Sequence, residues 1–415
     1  MMPTETECHV RASCRLCAGK RLGPALRLPD SPLANAFRME PVEKEPLYPL
    51  EVWLCADCGH AQLGHVVSAE AMFSHYLYVS GTSPVFRQHF CEYAKDLRER
   101  LKLGTESFVC EIGSNDATLL GYFEGMRTLG IEPAANLAEA ANAAGQRTWN
   151  AYFTSALACE IRKQYGPADV IVANNVLAHI DDLSDVLTGV QLLLAPGGLL
   201  AMEVQYVGDL LEQGLFDMIY FEHLDYHALT PLIGFFARHG LALVDVRHEP
   251  THGGSMRCYV GHAGGPHQVA SATIAQWQAH EAEQGLLTRV PWMELGERIA
   301  AGKARLHELL GDQQAAGRRV VGYGAPAKLT TLMYTYEVPA TALEYVVDDN
   351  PLKVGRFTPG KQLAIKPSAA LYELETKPDV IVVFAWNFFA AIREKHAALS
   401  NLVWINPMPF PRILS

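Results

Sequence analysis

The sequence predicts an α/β protein in three parts: a small metal-binding N-terminal unit, a doubly wound sheet, and a second Rossmann-like sheet. Three observations predict it. Two CxxC pairs stand in the first 60 residues. Between Ser107 and Val204, short apolar runs alternate with helical stretches, and the same alternation returns from Val320. At 415 residues the chain also exceeds what one hydrophobic core supports, which sets two or three domains.

Composition narrows the function. Hydrophobic residues make up 49% and charged residues 19%, the balance of a folded chain. With 34 basic against 45 acidic residues the net charge is −11, which argues against a phosphate-tracking face for nucleic acid. It leaves room for a nucleotide-sized ligand held by one or two local cations. No apolar run reaches the roughly 18 residues a membrane helix needs. The start, MMPTETECHV, has neither a basic n-region nor an apolar h-region. We therefore expect a cytoplasmic protein with no membrane partner. Of nine cysteines, four cluster, and in a reducing compartment clustered cysteines serve as metal ligands more often than as disulfides.

Those four are Cys14, Cys17, Cys55 and Cys58, two CxxC turns separated by 37 residues. Each turn presents two thiolates from one tight loop, and two turns complete a tetrahedral zinc site with no open position. A closed site is structural. Between the turns lie Pro-rich segments and a short alternating stretch, Leu50 to Leu54, which read as small strands hung on the metal.

The first doubly wound unit begins with the strand Phe108 to Ile112. It runs through Gly113, Ser114, Asn115 and Asp116 into a helical stretch from Ala117 to Phe123. A second strand ends in Glu132, 19 residues after Gly113. An acid at that tip accepts ribose hydroxyls while the glycine turn lets backbone approach the ligand. A third strand, Asp169 to Ala173, ends in Asn174 and Asn175, and Pro196-Gly197-Gly198 leads into the strand Leu199 to Val204. The first turn is EIGSND and not GxGxxG, and Asp116 repels phosphate. These seven residues therefore suit S-adenosylmethionine, which carries ribose, adenine, an ammonium and a sulfonium but no phosphate.

Polar patches surround this unit. One contains Tyr76, Tyr78 and Ser80; a second is His179, four residues past Asn175. A third is Tyr220, Phe221, Glu222 and His223; a fourth is His252 and Gly253 in a glycine-rich turn before the strand Cys258 to Val260. Imidazole suits base chemistry near neutral pH, and a neighbouring acid can orient it.

In the last third, an apolar face marks a helix over 283–310. The strand Val320 to Tyr323 then enters a glycine turn and a helix carrying Lys328. Further strands, Leu343 to Val347 and Val380 to Phe384, end in Asp348-Asp349-Asn350 and Ala385-Trp386-Asn387. Turn amides plus one ammonium are expected to hold a diphosphate, with Tyr323 and Lys328 as substrate contacts.

The whole chain resembles the sugar C-methyltransferases that act on nucleotide-linked 4-keto-6-deoxyhexoses. The motifs that carry this are CxxC…CxxC, YLYVSGTSP, EIGSND, GIEP, NNVLAH, YFEH, HGGSMR, GYGAPAK, VVDDNPLKVG and NPMP, spread over essentially all 415 residues. One departure is Ala117, where the family commonly has glycine. The resemblance implies a zinc-binding domain (1–72), a class I methyltransferase domain (73–282) and a Rossmann-like domain that helps hold the nucleotide sugar (283–415). It implies methylation at C3 of a dTDP-linked 4-keto sugar, in branched deoxysugar biosynthesis for antibiotics. His223 is then the expected base, Glu222 a substrate ligand or orienter, and Tyr78, Tyr220 and His179 contacts to the sugar or its enolate. Tyr76, Ser80, His252 and Gly253 are expected on the substrate. We expect a monomer. O- or N-methylation of a small metabolite, and an NAD-linked sugar oxidoreductase built on residues 320–350, remain the alternatives.

Overall fold

The computed structural model describes residues 7–68, 72, 81, 84–375, 377–399 and 401–414. The N-terminal unit contains strands β1 (Cys8–Val10), β2 (Leu22–Ser31), β3 (Tyr48–Cys55), β4 (Ala61–Leu63) and β5 (His65–Val67). Inward residues of β3 (Tyr48, Leu50, Val52, Leu54) alternate with more exposed ones, as one buried face requires.

The middle unit contains β6 (Phe108–Ile112), β7 (Arg127–Ile131), β8 (Thr148–Trp149), β9 (Ala168–Asn174), β10 (Leu194–Gln205), β11 (Asp225–Tyr226), β12 (Leu241–Glu249) and β13 (Ser255–His262). Seven of these form one sheet in the order β12-β13-β10-β9-β6-β7-β8. The central strands β6 and β9 are buried along nearly their whole length, as strands covered on both faces are. The helix Leu229–Arg238 lays Leu229, Leu232, Phe235 and Phe236 inward at helical spacing.

The expectation of a wholly parallel sheet here needs correction. β6 to β10 are parallel, but β13 runs antiparallel to both β10 and β12. The cause is the connection: β12 and β13 are joined by the short turn around His252, with no crossover helix, and such a link makes an antiparallel pair.

β11 does not join that sheet. It pairs with β4, Asp225 opposite Gln62 and Tyr226 opposite Ala61, and so completes the N-terminal sheet in the order β11-β4-β3-β2. The strand two residues after His223 is thus held by the metal unit.

The C-terminal unit contains β14 (Val320–Tyr323), β15 (Val346–Asp348), β16 (Ile365–Pro367), β17 (Val380–Val383), β18 (Val403–Asn406) and β19 (Arg412–Leu414). Their order is β16-β15-β14-β17-β18-β19, parallel except for β19. The apolar face expected over 283–310 belongs to two helices, Ser271–Glu283 and Val290–Ala315. The helix expected over 117–123 shrinks to Thr118–Gly121. The strand expected over 343–347 is Val346–Asp348, because residues 340–342 form a 3₁₀ turn.

The helix Ala327–Thr335 docks the C-terminal unit on the other two. Thr331 Oγ1 donates to the Ile219 carbonyl at 3.0 Å, and Thr330 Oγ1 to that of Ala34 at 3.3 Å. Among the described residues, no helix is long and apolar enough to cross a membrane.

Candidate active site and metal centre

Cys14, Cys17, Cys55 and Cys58 converge, with all four sulfurs within 4.8 Å of one another. The Cys14–Cys58 and Cys17–Cys55 sulfur separations are both 3.6 Å. A tetrahedron with Zn–S bonds of about 2.3 Å has edges of about 3.8 Å, so the cage has the size of zinc. The two loops are built alike. The amide of Ala18 donates to the Cys14 carbonyl, and that of Gly59 to the Cys55 carbonyl. Both donors have positive φ, 57° at Ala18 and 77° at Gly59. Four sulfurs leave no open position, so the site's chemistry is structural.

The candidate cofactor cradle lies at the carboxyl ends of β9, β6 and β7. Gly113 follows β6 with φ 65°, and a β-carbon there would meet Val176 Cγ2 at 2.5 Å. Glu132, at the tip of β7, accepts from the amides of Asn115 and Ala134, each at 2.8 Å. These bonds fix its aim, and each oxygen keeps a lone pair for a ligand. Burial raises its pKa. At the tip of β9, Asn174 Oδ1 is buried with no partner among the described residues. Asn175 stands at φ 53° and donates its amide to the Glu203 carbonyl.

One of the expected cofactor contacts, Asp116, is held by neighbouring backbone and Thr118. It stands just before the short helix, accepting from Thr118 Oγ1 at 2.8 Å, Thr118 N at 3.2 Å and Gly81 N at 3.0 Å. The Ser114 hydroxyl is buried over β7, where a β-carbon at Gly130 would meet it at 2.5 Å.

The imidazoles gather beside this cradle. Residues 220–223 form a turn closed by the His223 amide and the Tyr220 carbonyl. The turn brings residues i and i+3 to one side: the Tyr220 hydroxyl lies 2.9 Å from His223 Nε2. His223 Nδ1 lies 2.8 Å from the Met218 carbonyl. A carbonyl only accepts, so Nδ1 carries the proton and Nε2 is the basic nitrogen. Burial lowers the His223 pKa to about 4, and Lys328 adds to the effect. The His179 ring stands 5.0 Å from that of His223. Burial drives its pKa well down, helped by His223 and His252. His252 is lowered to about 4 by burial and by Lys328.

Glu222 points the other way. Its Oε1 accepts from Asn35 Nδ2 at 2.5 Å, so it faces the N-terminal unit while His223 faces the cradle side. Tyr76, Tyr78 and Ser80 lie outside the described residues.

Lys328 arrives from the C-terminal unit. It is buried, donates to Asn387 Oδ1 at 3.0 Å and lies 4.6 Å over the Trp386 ring. Burial lowers its pKa, and Asp217 opposes that. Asp217 is fully buried and accepts from Trp386 Nε1 at 2.6 Å. Trp386 also faces Gly253, whose added β-carbon would stand 3.7 Å from the indole. Lys328, Asp217, Trp386, His223 and His252 thus form one patch built from two units.

The glycine turn at 322–326 is not the open phosphate nest its sequence suggests. Ala325 N donates to Asp348 Oδ2 at 2.6 Å, Pro326 has no N–H, and Lys353 Nζ donates to the Ala325 carbonyl at 2.8 Å. The turn satisfies itself, as the Glu132 turn does. Tyr323 is likewise spent. Its hydroxyl donates to Asp349 at 2.8 Å and lies 3.0 Å from His396 Nε2, within the core of its own sheet.

Sequence reasoning missed Glu203. It is fully buried on β10, with Arg257 Nη2 at 2.7 Å, His89 Nε2 at 2.8 Å and Thr251 Oγ1 at 2.9 Å. These partners outweigh burial and lower its pKa to about 2. It anchors the His252 turn and the helix Pro84–Leu101. One acid in the apolar run LLAMEV was the available signal, because a buried carboxylate demands partners.

Three family models match the chain in succession. Residues 14–73 match one described as "Putative zinc binding domain", residues 85–246 a methyltransferase domain, and residues 250–409 a C-methyltransferase C-terminal domain. The chain is 34% identical over 409 residues to the C-methyltransferase NovU of Streptomyces niveus, covering 97% of this chain and 96% of that protein. Among solved structures it is similar to the magnesium protoporphyrin IX methyltransferase of Synechocystis PCC 6803 with bound SAM. That match has 12% identity and a TM-score of 0.32, over 42% of this chain and 78% of the other. It is also similar to an S-adenosylmethionine-dependent methyltransferase of Clostridium acetobutylicum, at 9% identity and a TM-score of 0.33, over 43% and 92%. At those scores neither structural likeness bears on the site. The strand order, the four-cysteine cage and a relative matching along nearly the full length agree, and the chain belongs to the C-methyltransferase family.

Proposed function

We propose that this C-methyltransferase methylates C3 of a nucleotide-linked 4-keto-6-deoxy sugar, a dTDP sugar by the resemblance of its motifs, with His223 as base. The observation that carries the reading is the fixed imidazole, with Nδ1–H on the Met218 carbonyl and Nε2 directed to Tyr220. A methylated oxygen or nitrogen brings its own lone pair. A carbon must first lose a proton, and only a neighbouring carbonyl makes that proton acidic.

The cradle residues fit S-adenosylmethionine: Gly113 leaves backbone close to the ligand, Glu132 offers carboxylate lone pairs to a ribose, and Asn174 Oδ1 awaits a donor. When bound, that cofactor supplies an electrophilic methyl group. His223 Nε2 removes the C3 proton. Lys328, whose charge bears on both His223 and His252, offsets the negative charge that develops on the ketone oxygen. Tyr220 orients the basic nitrogen, and Glu222, held by Asn35, orients the turn that carries the base. Burial among Trp386, Asp217 and Lys328 excludes water from the carbanion. We take 1–72, 73–282 and 283–415 as the three working units, zinc holding the first together.

The test is product analysis. Incubation with S-adenosylmethionine and a panel of nucleotide-linked sugars should methylate 4-keto members and spare their 4-hydroxy counterparts. NMR should place the methyl on the carbon beside the ketone. A methyl on oxygen or nitrogen, or equal turnover of the 4-hydroxy sugars, contradicts the proposal.

A further inference from the structure

Arg15 sits between the two cysteines of the first CxxC turn, yet its side chain turns away from the metal cage and is fully buried. Its Nε donates to Asp181 Oδ1 at 2.9 Å, and Nη2 lies 2.9 Å from the same oxygen. Its Nη1 reaches the carbonyls of Leu63 at 3.3 Å and Leu224 at 3.2 Å. Its Nε stands 3.8 Å from Asp225 Oδ2. Asp181 is two residues past His179, and Leu224 and Asp225 directly follow His223. The second knuckle does the same: His60, two residues past Cys58, lies 2.6 Å from Asp225 Oδ1. The two imidazole loops are joined by the bond from the Leu224 amide to the Ala178 carbonyl, 2.7 Å.

We infer that Arg15, with His60 and Asp225, is a positioning device through which the zinc knuckles set the spacing of His179 and His223. The inference rests on the reading of His223 as base. The guanidinium touches both loops and the metal unit's β4 at once, and its planar fork suits four acceptors in a way a lysine does not. Zinc then does more than fold 60 residues. It fixes the first turn, whose Arg15 backbone is also held by Gln62 Oε1 at 2.9 Å, and through it the bed on which the base lies. An ångström of misplacement at such a base is enough to cost a large factor in rate.

The test is a double-mutant cycle on full-length, zinc-loaded protein, read by washing the C3 hydrogen of dTDP-4-keto-6-deoxyglucose into deuterated water. Arg15→Gln and Arg15→Lys should keep one zinc per chain and a KM within about threefold, while exchange and kcat fall about tenfold or more, less in Lys than in Gln. In a His223→Asn background, Arg15→Gln should add nothing. Arg11→Ala, which removes a second contact to Asp181 at 3.0 Å but none to the His223 segment, should have a small effect. Should Arg15→Gln lose zinc, Asp225→Asn removes the shared anchor from the far side and should give the same exchange defect with zinc retained. Unchanged exchange in the Arg15 variants, an additive loss in the His223→Asn background, or zinc loss in both the Arg15 and Asp225 variants overturns the inference. If His223→Asn itself exchanges at the wild-type rate, the base assignment fails first and the inference falls with it.

Discussion

The chemistry of His223 turns on a carbonyl five residues earlier. Met218 holds the Nδ1 proton, so the tautomer that leaves Nε2 basic is built into the backbone. Burial then sets the working range. With the folded pKa lowered to about 4, against an ordinary 6.5, the rate limb for proton removal should lie near pH 4 and the rate should be flat from pH 6 to 8. A limb near 6.5 contradicts this. The same shifts predict stability. His223 and His252 are neutral in the fold at pH values where the unfolded chain is protonated. The unfolded state therefore binds more protons, and stability should fall as pH drops from about 6.5 towards 4. Urea midpoints across that window check it. Ala117 makes a separate case. It stands at φ 58° and is buried, a conformation that costs a non-glycine residue about 1 kcal/mol. Ala117→Gly should hold or slightly raise the melting temperature, and Ala117→Val should lower stability by about 1–3 kcal/mol.

At the scale of elements, the sequence carried what periodicity and punctuation encode. β6 runs from Phe108 to Ile112 as its apolar run predicts, and the two CxxC turns close one cage. The antiparallel β13 was less legible, since strand direction depends on the absence of a crossover helix rather than on the strand's own residues. Glycine turns also misled: GYGAPA reads as a phosphate nest, but Asp348 occupies its amide. No local pattern shows which carboxylate a turn will meet. The partners of the Tyr323 hydroxyl, Asp349 and His396, likewise lie far along the chain from it. The cysteine cage yields a prediction at this scale. Chelation, or Cys55→Ser, should remove one zinc per chain and expose the strands β1 to β5 to proteolysis, and activity should fall in step because β11 pairs with β4. Retained activity in metal-free protein contradicts this.

At the scale of the molecule, the site is a junction. His223 follows the middle sheet, β11 ties it to the metal unit, and Lys328 comes from the C-terminal sheet. Long-range meetings of this kind, Asn35 with Glu222 and Trp386 with Asp217, left no trace in spacing. The clusters of His, Tyr and acid were visible; their assembly across units was not. Lys328→Gln should therefore lower kcat by roughly a hundredfold while leaving cofactor affinity near wild type, checked by steady-state kinetics beside calorimetric titration of S-adenosylmethionine. An equal loss of cofactor binding would place Lys328 in the cradle instead. The central claim, that a carbon acid is deprotonated by His223, is tested most directly by exchange without methyl transfer. In deuterated water with the 4-keto substrate alone, the wild-type enzyme should wash out the C3 hydrogen, and His223→Asn should slow that at least a hundredfold with the fold intact. Exchange at the wild-type rate in His223→Asn would contradict the account.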